Sequence, residues 1–423
     1  MRIAMVSEHA SPLAAISGED AGGQNVHVAE LAAALAARGH EVAVYTRRTD
    51  TEKPDTVPMG PGVRVEHVRA GPAAPISKDE LPRYMPEFAQ RLRAAWRVHR
   101  PDVVHAHFWM SGFASLRAAN ALGLPVLQTF HALGTVKRRH QGSDDTSPVD
   151  RIPTERAVAS RCDMVVATST EERRELGEWG VPPGRVAVVP CGVDTSRFTP
   201  EGPGAMMRGD RPRLLSLGRL VRRKGVDTVI RALAEVPEAE LVIAGGADLD
   251  RLWTQPEAVR LRMVAERMGV DDRVRFLGCV DRYEVPALLR SVDAAVNMPW
   301  YEPFGISTVE AMACGVPVVA SRVGGHVDTV VHGENGLLVP PRSPKRLGRA
   351  VRWLLSDEEA RSSFADAAAE RARERYSWAE VARRTEECYL HVTDTAATTG
   401  AGVPAPRTVS GTPVGTTARG GEE

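Results

Sequence analysis

The chain has 423 residues, more than one hydrophobic core usually serves, so two domains of ordinary size are expected. Its 54 basic and 54 acidic residues cancel, which excludes a general electrostatic pull toward nucleic acid or an anionic membrane and leaves any basic site local. Five widely spaced cysteines with no Cys-x-x-Cys pair suggest neither a disulfide framework nor a zinc site, and fit a reducing cytoplasm.

The first ten residues, "MRIAMVSEHA", contain a four-residue apolar run, Ile3 to Val6, too short for a signal peptide or a spanning helix. It reads as a first β-strand. Short runs rich in Val, Ile and Leu then recur between helical patterns: "EVAVYT", "PDVVHAHF", "PVLQTFH", "DMVVATS" and "RVAVVP", and after them "RLLSLG", "ELVIAGG", "RVRFLG", "DAAVNMP" and "PVVAS". Such runs are what a parallel sheet buried on both faces requires. The fold class is α/β, two doubly wound Rossmann-like domains facing a cleft. Their expected limits are 1–198 and 212–375, joined by the Pro- and Gly-rich linker 199–211. A C-terminal helix over 376–392 should pack on the globular body, and 393–423, small and polar, is expected to be a disordered tail. In open parallel sheets ligands bind beyond the carboxyl ends of the strands, so chemistry should sit just after them.

In chain order, the first motif is "GEDAGGQNVHVAELAAALAARGHEV", where Gly22 and Gly23 precede a helix that ends near Gly39. Paired glycines at a helix N-terminus present backbone N–H groups to an anion, although a plain tight turn has the same appearance. The dinucleotide fingerprint Gly-x-Gly-x-x-Gly is absent here, so a dehydrogenase loses its main support. "RLRAAWRVHR" suits either a membrane-surface helix or an outer helix of the first sheet. His105 and His107 alternate by two, as zinc ligands on a strand would, but no third ligand has an obvious place and a hydrogen-bonded interior pair accounts for them. His131 ends a strand at the cleft and is the better candidate to hydrogen-bond a substrate. Lys137, Arg138, Arg139 and His140, with Arg151 nearby, gather positive charge on the first domain's side in what reads as a long loop, and a phosphate on an acceptor would explain both features.

In the second half Arg219 follows a strand and Lys224 lies five residues on, just before a helix. A guanidinium and an ammonium converging there can neutralise a diphosphate. Asp248 and Asp250 in "DLD" imitate a metal-binding pair, but lie in a polar loop, and no metal is expected. The stretch "MPWYEPFGISTVEAMACGVPVVAS" places Glu302 in a turn at the cleft and Glu310 about a turn and a half into the next helix, with the N–H groups of Gly305 and Ile306 at its start. Carboxylates at these positions can accept hydrogen bonds from sugar and ribose hydroxyls. A pair of carboxylates also suits glycoside hydrolysis, but hydrolysis does not require the cations that Arg219 and Lys224 offer to a phosphate leaving group, so transfer ranks higher.

Together, "GGQNV", "HAHFWMSG", "TFHALG", "VPCGVD", "LGRLVRRKG" and "EPFGISTVEAMACGVPVVAS" resemble the retaining nucleotide-sugar glycosyltransferases of the two-domain GT-B type, family 4, over about residues 1–392. Within that family the first half looks most like sucrose-phosphate synthases and the enzymes that build mycothiol from inositol phosphate. The resemblance implies that Arg219 and Lys224 hold the donor diphosphate, Glu310 its ribose, and Glu302 with the N–H groups near Gly305 and Ile306 the donor sugar. It also implies that His131 touches that sugar near the reacting carbon, that Gly23 approaches the phosphate, and that Asn25, Lys78 and Arg151 serve the acceptor. The inositol-phosphate enzymes usually have Tyr where Phe108 stands and Thr where Ala132 stands, whereas Gln24 and "ALGTVKRRH", with Lys137, lean toward the sugar-phosphate enzymes.

The expectation is thus a retaining, metal- and cofactor-independent glycosyltransferase, cytoplasmic, moving a sugar from a nucleotide diphosphate sugar, UDP-sugar favoured, to a small polar, phosphorylated acceptor. Catalysis would fall to His131, Arg219, Lys224 and Glu302. Other readings that keep the fold are transfer to a lipid or natural-product acceptor, a nucleotide-sugar epimerase, a phosphorylase, and a sugar-nucleotide-binding protein without catalysis.

Overall fold

The structure, a computed structural model, describes residues 1–14, 22–207 and 209–399. Strands β1 (Arg2–Val6), β2 (Glu41–Arg47), β3 (Thr56–Gly60), β4 (Val63–Val68), β5 (Val103–His107), β6 (Val126–Thr129), β7 (Met164–Ala167) and β8 (Val186–Val188) form one sheet. Strands β9 (Arg213–Leu217), β10 (Glu240–Ala244), β11 (Val274–Gly278), β12 (Ala294–Asn297), β13 (Val318–Ser321) and β14 (Gly336–Val339) form a second. The orders are β3-β4-β2-β1-β5-β6-β7-β8 and β11-β10-β9-β12-β13-β14. Pairing is parallel except between β3 and β4, an antiparallel edge hairpin that the sequence reading did not single out.

Burial explains why the strand sequences are nearly continuous in apolar residues. β5, β6, β7, β13 and β14 are buried at every position because helices cover both faces. Chain order reverses at β1/β5 in the first sheet and at β9/β12 in the second, and these switch points direct the ends of β1, β5 and β9 into one region.

Two features of the connections differ from the sequence expectation. Cys191, Val193 and Phe198 already pack in the second sheet's core, so the chain changes core ahead of the expected boundary at Thr199. The C-terminal helix, Trp378–Thr399, returns to the first sheet, where Trp378, Val381, Tyr389 and Val392 pack with Ile3, Met5 and Leu31. It also continues past His391 and Val392, so the tail expected from Thr393 begins with more helix, and its remainder, 400–423, lies outside the described residues. Among the described residues no helix is long and apolar enough to cross a membrane.

Candidate active site

The site lies where the two sheets' strand ends meet. On the second-sheet side, a narrow cavity is lined by Gly218, Arg219, Lys224, Asn297, Glu302 and His326. Arg219 and Lys224 follow β9, and Glu302 follows β12, so the switch point brings the two cations to a carboxylate distant in sequence. Lys224 Nζ lies 2.5 Å from Glu302 Oε2. Burial acts to raise the Glu302 carboxyl, but the charges of Lys224 and Arg223 overcome it and hold its pKa at about 2. Burial draws the Lys224 ammonium below its ordinary value, opposed by Glu302. The remaining volume is about 10 Å³, on the order of a single water.

The turn after Glu302 is built for close approach. Gly305 sits at φ +97°, a conformation that side chains resist, and a Cβ there would meet the His326 ring at 2.8 Å. His326 holds the turn by bonding to Thr308 Oγ1 at 3.0 Å, while Asn297 Nδ2 donates to the same hydroxyl. Burial lowers the His326 pKa to about 4, so it is a neutral partner there. The helix Ile306–Ala313 starts at this turn, and its Glu310 is buried with an oxygen 2.6 Å from Arg282 Nη1. Burial raises the Glu310 pKa, and Arg282 opposes that rise. Arg282, just after β11, also lines a cavity of about 170 Å³ with Tyr283, Arg197, Asn25 and Glu30, so both halves of the chain contribute to it.

The first-sheet side faces this turn directly. Gly23 opens the helix Gly23–Ala37, and a Cβ on it would stand 3.0 Å from Ile306 Cδ1. The two helix N-termini therefore converge on one place. Gln24 Nε2 donates to Ser7 Oγ and to the carbonyl of His107, and Asn25 bridges Gly22 N and the Ser11 carbonyl, so both amides lock the loops beside the N-terminus.

Beyond them stands Phe108, buried and with φ +79°, directly after β5. The Lys78 ammonium stands 5.4 Å from its ring centre and the Arg151 guanidinium 5.2 Å. Arg151 is buried and tied to Glu155 at 2.8 Å, Ser147 at 3.1 Å and the Ala132 carbonyl at 2.7 Å. Burial raises the Glu155 pKa against the pull of Arg151. His9 reaches the Phe108 edge with rings 4.9 Å apart, and its Nδ1 is 2.6 Å from the wholly buried Glu8 carboxylate.

His131 lies two residues beyond β6 with φ +60°, an uncommon conformation for a non-glycine residue and one that clusters at functional sites. Its Nε2 lies 3.0 Å from His107 Nδ1. His105 instead bonds to Tyr389 at 2.8 Å and Thr129 at 2.9 Å, so the two histidines that alternate along β5 have different partners. Burial lowers the pKa of all of them, His105 to about 3.

The basic run corrects an expectation. Lys137 to His140 lie in a helix, Gly134–Gln141, rather than a long loop. Lys137 is held by Asp145 and Ser147 at 2.8 Å, and Arg139 by Glu175 at 2.7 Å, so these charges are largely neutralised within the domain. His140 stacks on Tyr301 with ring centres 5.2 Å apart, which links this helix across the cleft. Gln141 to Tyr301, Thr170 to Asp328 and Glu171 to Gly324 N add further contacts between the halves.

Sequence reasoning missed Arg282, His326, His27 and the Glu8–His9 pair. Arg282 could have been found, since it lies just after a strand as Arg219 does. His27 falls on the buried face of an ordinary-looking helix and carried no local signal.

Comparison with known proteins matches residues 21–197 to Glycosyltransferase Family 4 and residues 206–371 to Glycosyl transferases group 1. D-inositol 3-phosphate glycosyltransferase 2 of Catenulispora acidiphila is 36% identical over 406 residues, covering 92% of this chain and 94% of that protein. Sucrose-phosphate synthase from Thermosynechococcus elongatus is 32% identical with a TM-score of 0.85, covering 93% of this chain and 99% of that one. HepE of Anabaena, solved in complex with UDP and glucose, is 20% identical with a TM-score of 0.71, covering 92% of this chain and 99% of that one, and shares the fold.

Proposed function

The chain belongs to glycosyltransferase family 4 and has the GT-B fold, and on that premise we propose that it moves a sugar from a nucleotide diphosphate sugar, a UDP-sugar, to a hydroxyl of a small phosphorylated polyol, with the anomeric configuration retained. The observation that carries this reading is the cavity that Arg219 and Lys224 line together with Ser307 in the first turn of the helix Ile306–Ala313, against whose Ile306 the other helix N-terminus, at Gly23, is packed. Fixed N–H dipoles and two cations aimed at one place stabilise negative charge that develops there, and a departing diphosphate is such a charge.

In this reading Lys224 leaves Glu302 for the donor diphosphate, and the freed Glu302 carboxylate accepts bonds from the donor sugar's hydroxyls. Glu310 takes the ribose, for which Arg282 has to yield one carboxylate oxygen, and the nucleobase lies in the cavity beside Arg282 and Tyr283. His131 meets the sugar near its reacting carbon. The acceptor binds on the Phe108 side of the cleft, with Lys78 and Arg151 serving its phosphate. Gln24 and Asn25 act from behind by fixing the loops, and Lys137 acts through Asp145 and Ser147, which also shape the Arg151 side. The departing phosphate oxygen and the acceptor hydroxyl lie on the same face of the sugar, so that oxygen is placed to take the hydroxyl proton as the new bond forms. A D-inositol 3-phosphate glycosyltransferase and a sucrose-phosphate synthase among the relatives support a phosphorylated acceptor. The reaction is cytoplasmic, where nucleotide sugars are made.

The test is nucleotide release from UDP- and GDP-sugars with inositol phosphate, sugar phosphates or their unphosphorylated counterparts. Release stimulated only by a phosphorylated acceptor supports the proposal, and stimulation by the unphosphorylated polyol alone rejects the role given to Lys78 and Arg151.

A further inference from the structure

The histidines beside the donor site form a second arrangement, in which glycosyl transfer uses only His131. His27, His107 and His131 come from the first helix, the end of β5 and the segment just after β6, and one ring nitrogen from each lies within 4.8 Å of the others. Ring centres are 5.6 Å apart for His27 and His107, 5.0 Å for His27 and His131, and 5.3 Å for His107 and His131. His27 and His107 are 3% and 0% exposed, yet His27 Nδ1 and His107 Nε2 have no hydrogen-bond partner among the described residues. Two orphaned imidazole nitrogens in one buried cluster are uncommon, because each forfeits a bond it could make in water.

We propose that His27, His107 and His131 form a binding site for a borderline divalent cation such as Zn²⁺, and that its occupation withdraws His131 from the cleft and inhibits the enzyme. Imidazole is a favoured ligand for such cations, and three protein nitrogens with a fourth position open is a common set. Metal–nitrogen bonds of about 2.0–2.1 Å in a tetrahedral site place ligand nitrogens roughly 3.3 Å apart. His107 Nδ1 and His131 Nε2 stand 3.0 Å apart already, across a hydrogen bond that the cation would replace, and the orphaned His107 Nε2 lies outside the ligand set. The third ligand has to close by rotation of His27, whose Nδ1 gives up no hydrogen bond in turning. His105 is excluded from the set because Tyr389 and Thr129 hold both its nitrogens. Of the three ligands only His131 keeps some exposure, so a cation enters past it from the cleft. Binding does not depend on the reading of the cleft as a donor site, whereas inhibition does.

The experiment uses the full chain stripped with EDTA. Co²⁺ titration followed by its visible absorption, and Zn²⁺ titration against a chromogenic chelator, should both show one bound equivalent, and in His27→Phe affinity should fall at least roughly tenfold. His27→Tyr serves if the phenylalanine variant does not fold. Absence of a Co²⁺ spectrum in the wild-type protein, or unchanged affinity in a folded His27 variant, overturns the site. Nucleotide release measured with and without one equivalent of Zn²⁺ should fall in wild type and be insensitive in the variant. A metal-bound wild type with unchanged turnover overturns the inhibition. Failure of every donor to release nucleotide overturns the functional reading and leaves the metal titrations to decide the site.

Discussion

Acidification should destabilise this protein from about pH 6.5 downward, earlier than carboxylate protonation would require. Burial lowers the pKa of His27 to about 4 and of His105 to about 3. An unfolded chain carries both imidazoles near their ordinary value of 6.5. Between the two values the unfolded state binds more protons than the folded one, so stability rises with pH there and is lost as pH falls. At pH 5, about 1.5 below the ordinary value, each buried histidine forgoes about 2 kcal/mol, so the two together forgo roughly 4 kcal/mol. Buried carboxyls with raised values, Glu155, Glu172 and Glu310, work in the opposite direction, so the informative quantity is a difference between proteins. Urea unfolding followed by tryptophan fluorescence at pH 7.5 and pH 5 should show wild type losing about 2 kcal/mol more than His27→Phe. Equal pH dependence in the two proteins would refute the argument. Glu302 does not confuse the comparison: its carboxyl is depressed to about 2, so its contribution is complete at pH 5 and is lost only as pH falls below about 4.5.

Lys224→Ala should lower kcat/KM by a factor on the order of 100 to 1,000, as loss of one group stabilising a developing anion does, and steady-state kinetics with the preferred donor check it. Gly23→Ala puts a methyl 3.0 Å from Ile306 Cδ1, so it should raise KM for the donor while leaving the unfolding midpoint near wild type. Arg282→Ala leaves the Glu310 carboxyl buried without its partner and should destabilise the fold by about 3 kcal/mol in chemical unfolding, besides weakening nucleotide binding in calorimetry.

Much of this arrangement was legible from short-range pattern. The strands announced themselves because helices cover both faces, and a strand so placed is apolar at nearly every position. Arg219, Lys224 and the Pro-Phe-Gly turn were legible because a parallel sheet puts its ligands just after strands. What escaped was set by long-range contacts. Nothing near Arg282 says that it meets Glu310, which is 28 residues on. The basic segment "GTVKRRHQ" lacks an apolar stripe, and its charges are paired with Asp145 and Glu175, which come later in the chain. The C-terminal helix showed its period but not its destination, since its return to the first sheet depends on Tyr389 meeting His105 and on Arg38 and His40 meeting Glu386. His107 seemed to lack further ligands because its two neighbours in space, His27 and His131, are contributed by other elements.

The most direct test of the central claim is the anomeric configuration and acceptor dependence of the product, read by proton NMR of a reaction containing a UDP-sugar and a phosphorylated acceptor. Release of UDP only with the phosphorylated acceptor, and a product anomer matching the donor, is the predicted result. An inverted anomer, or equal release with water or an unphosphorylated polyol, would contradict the account.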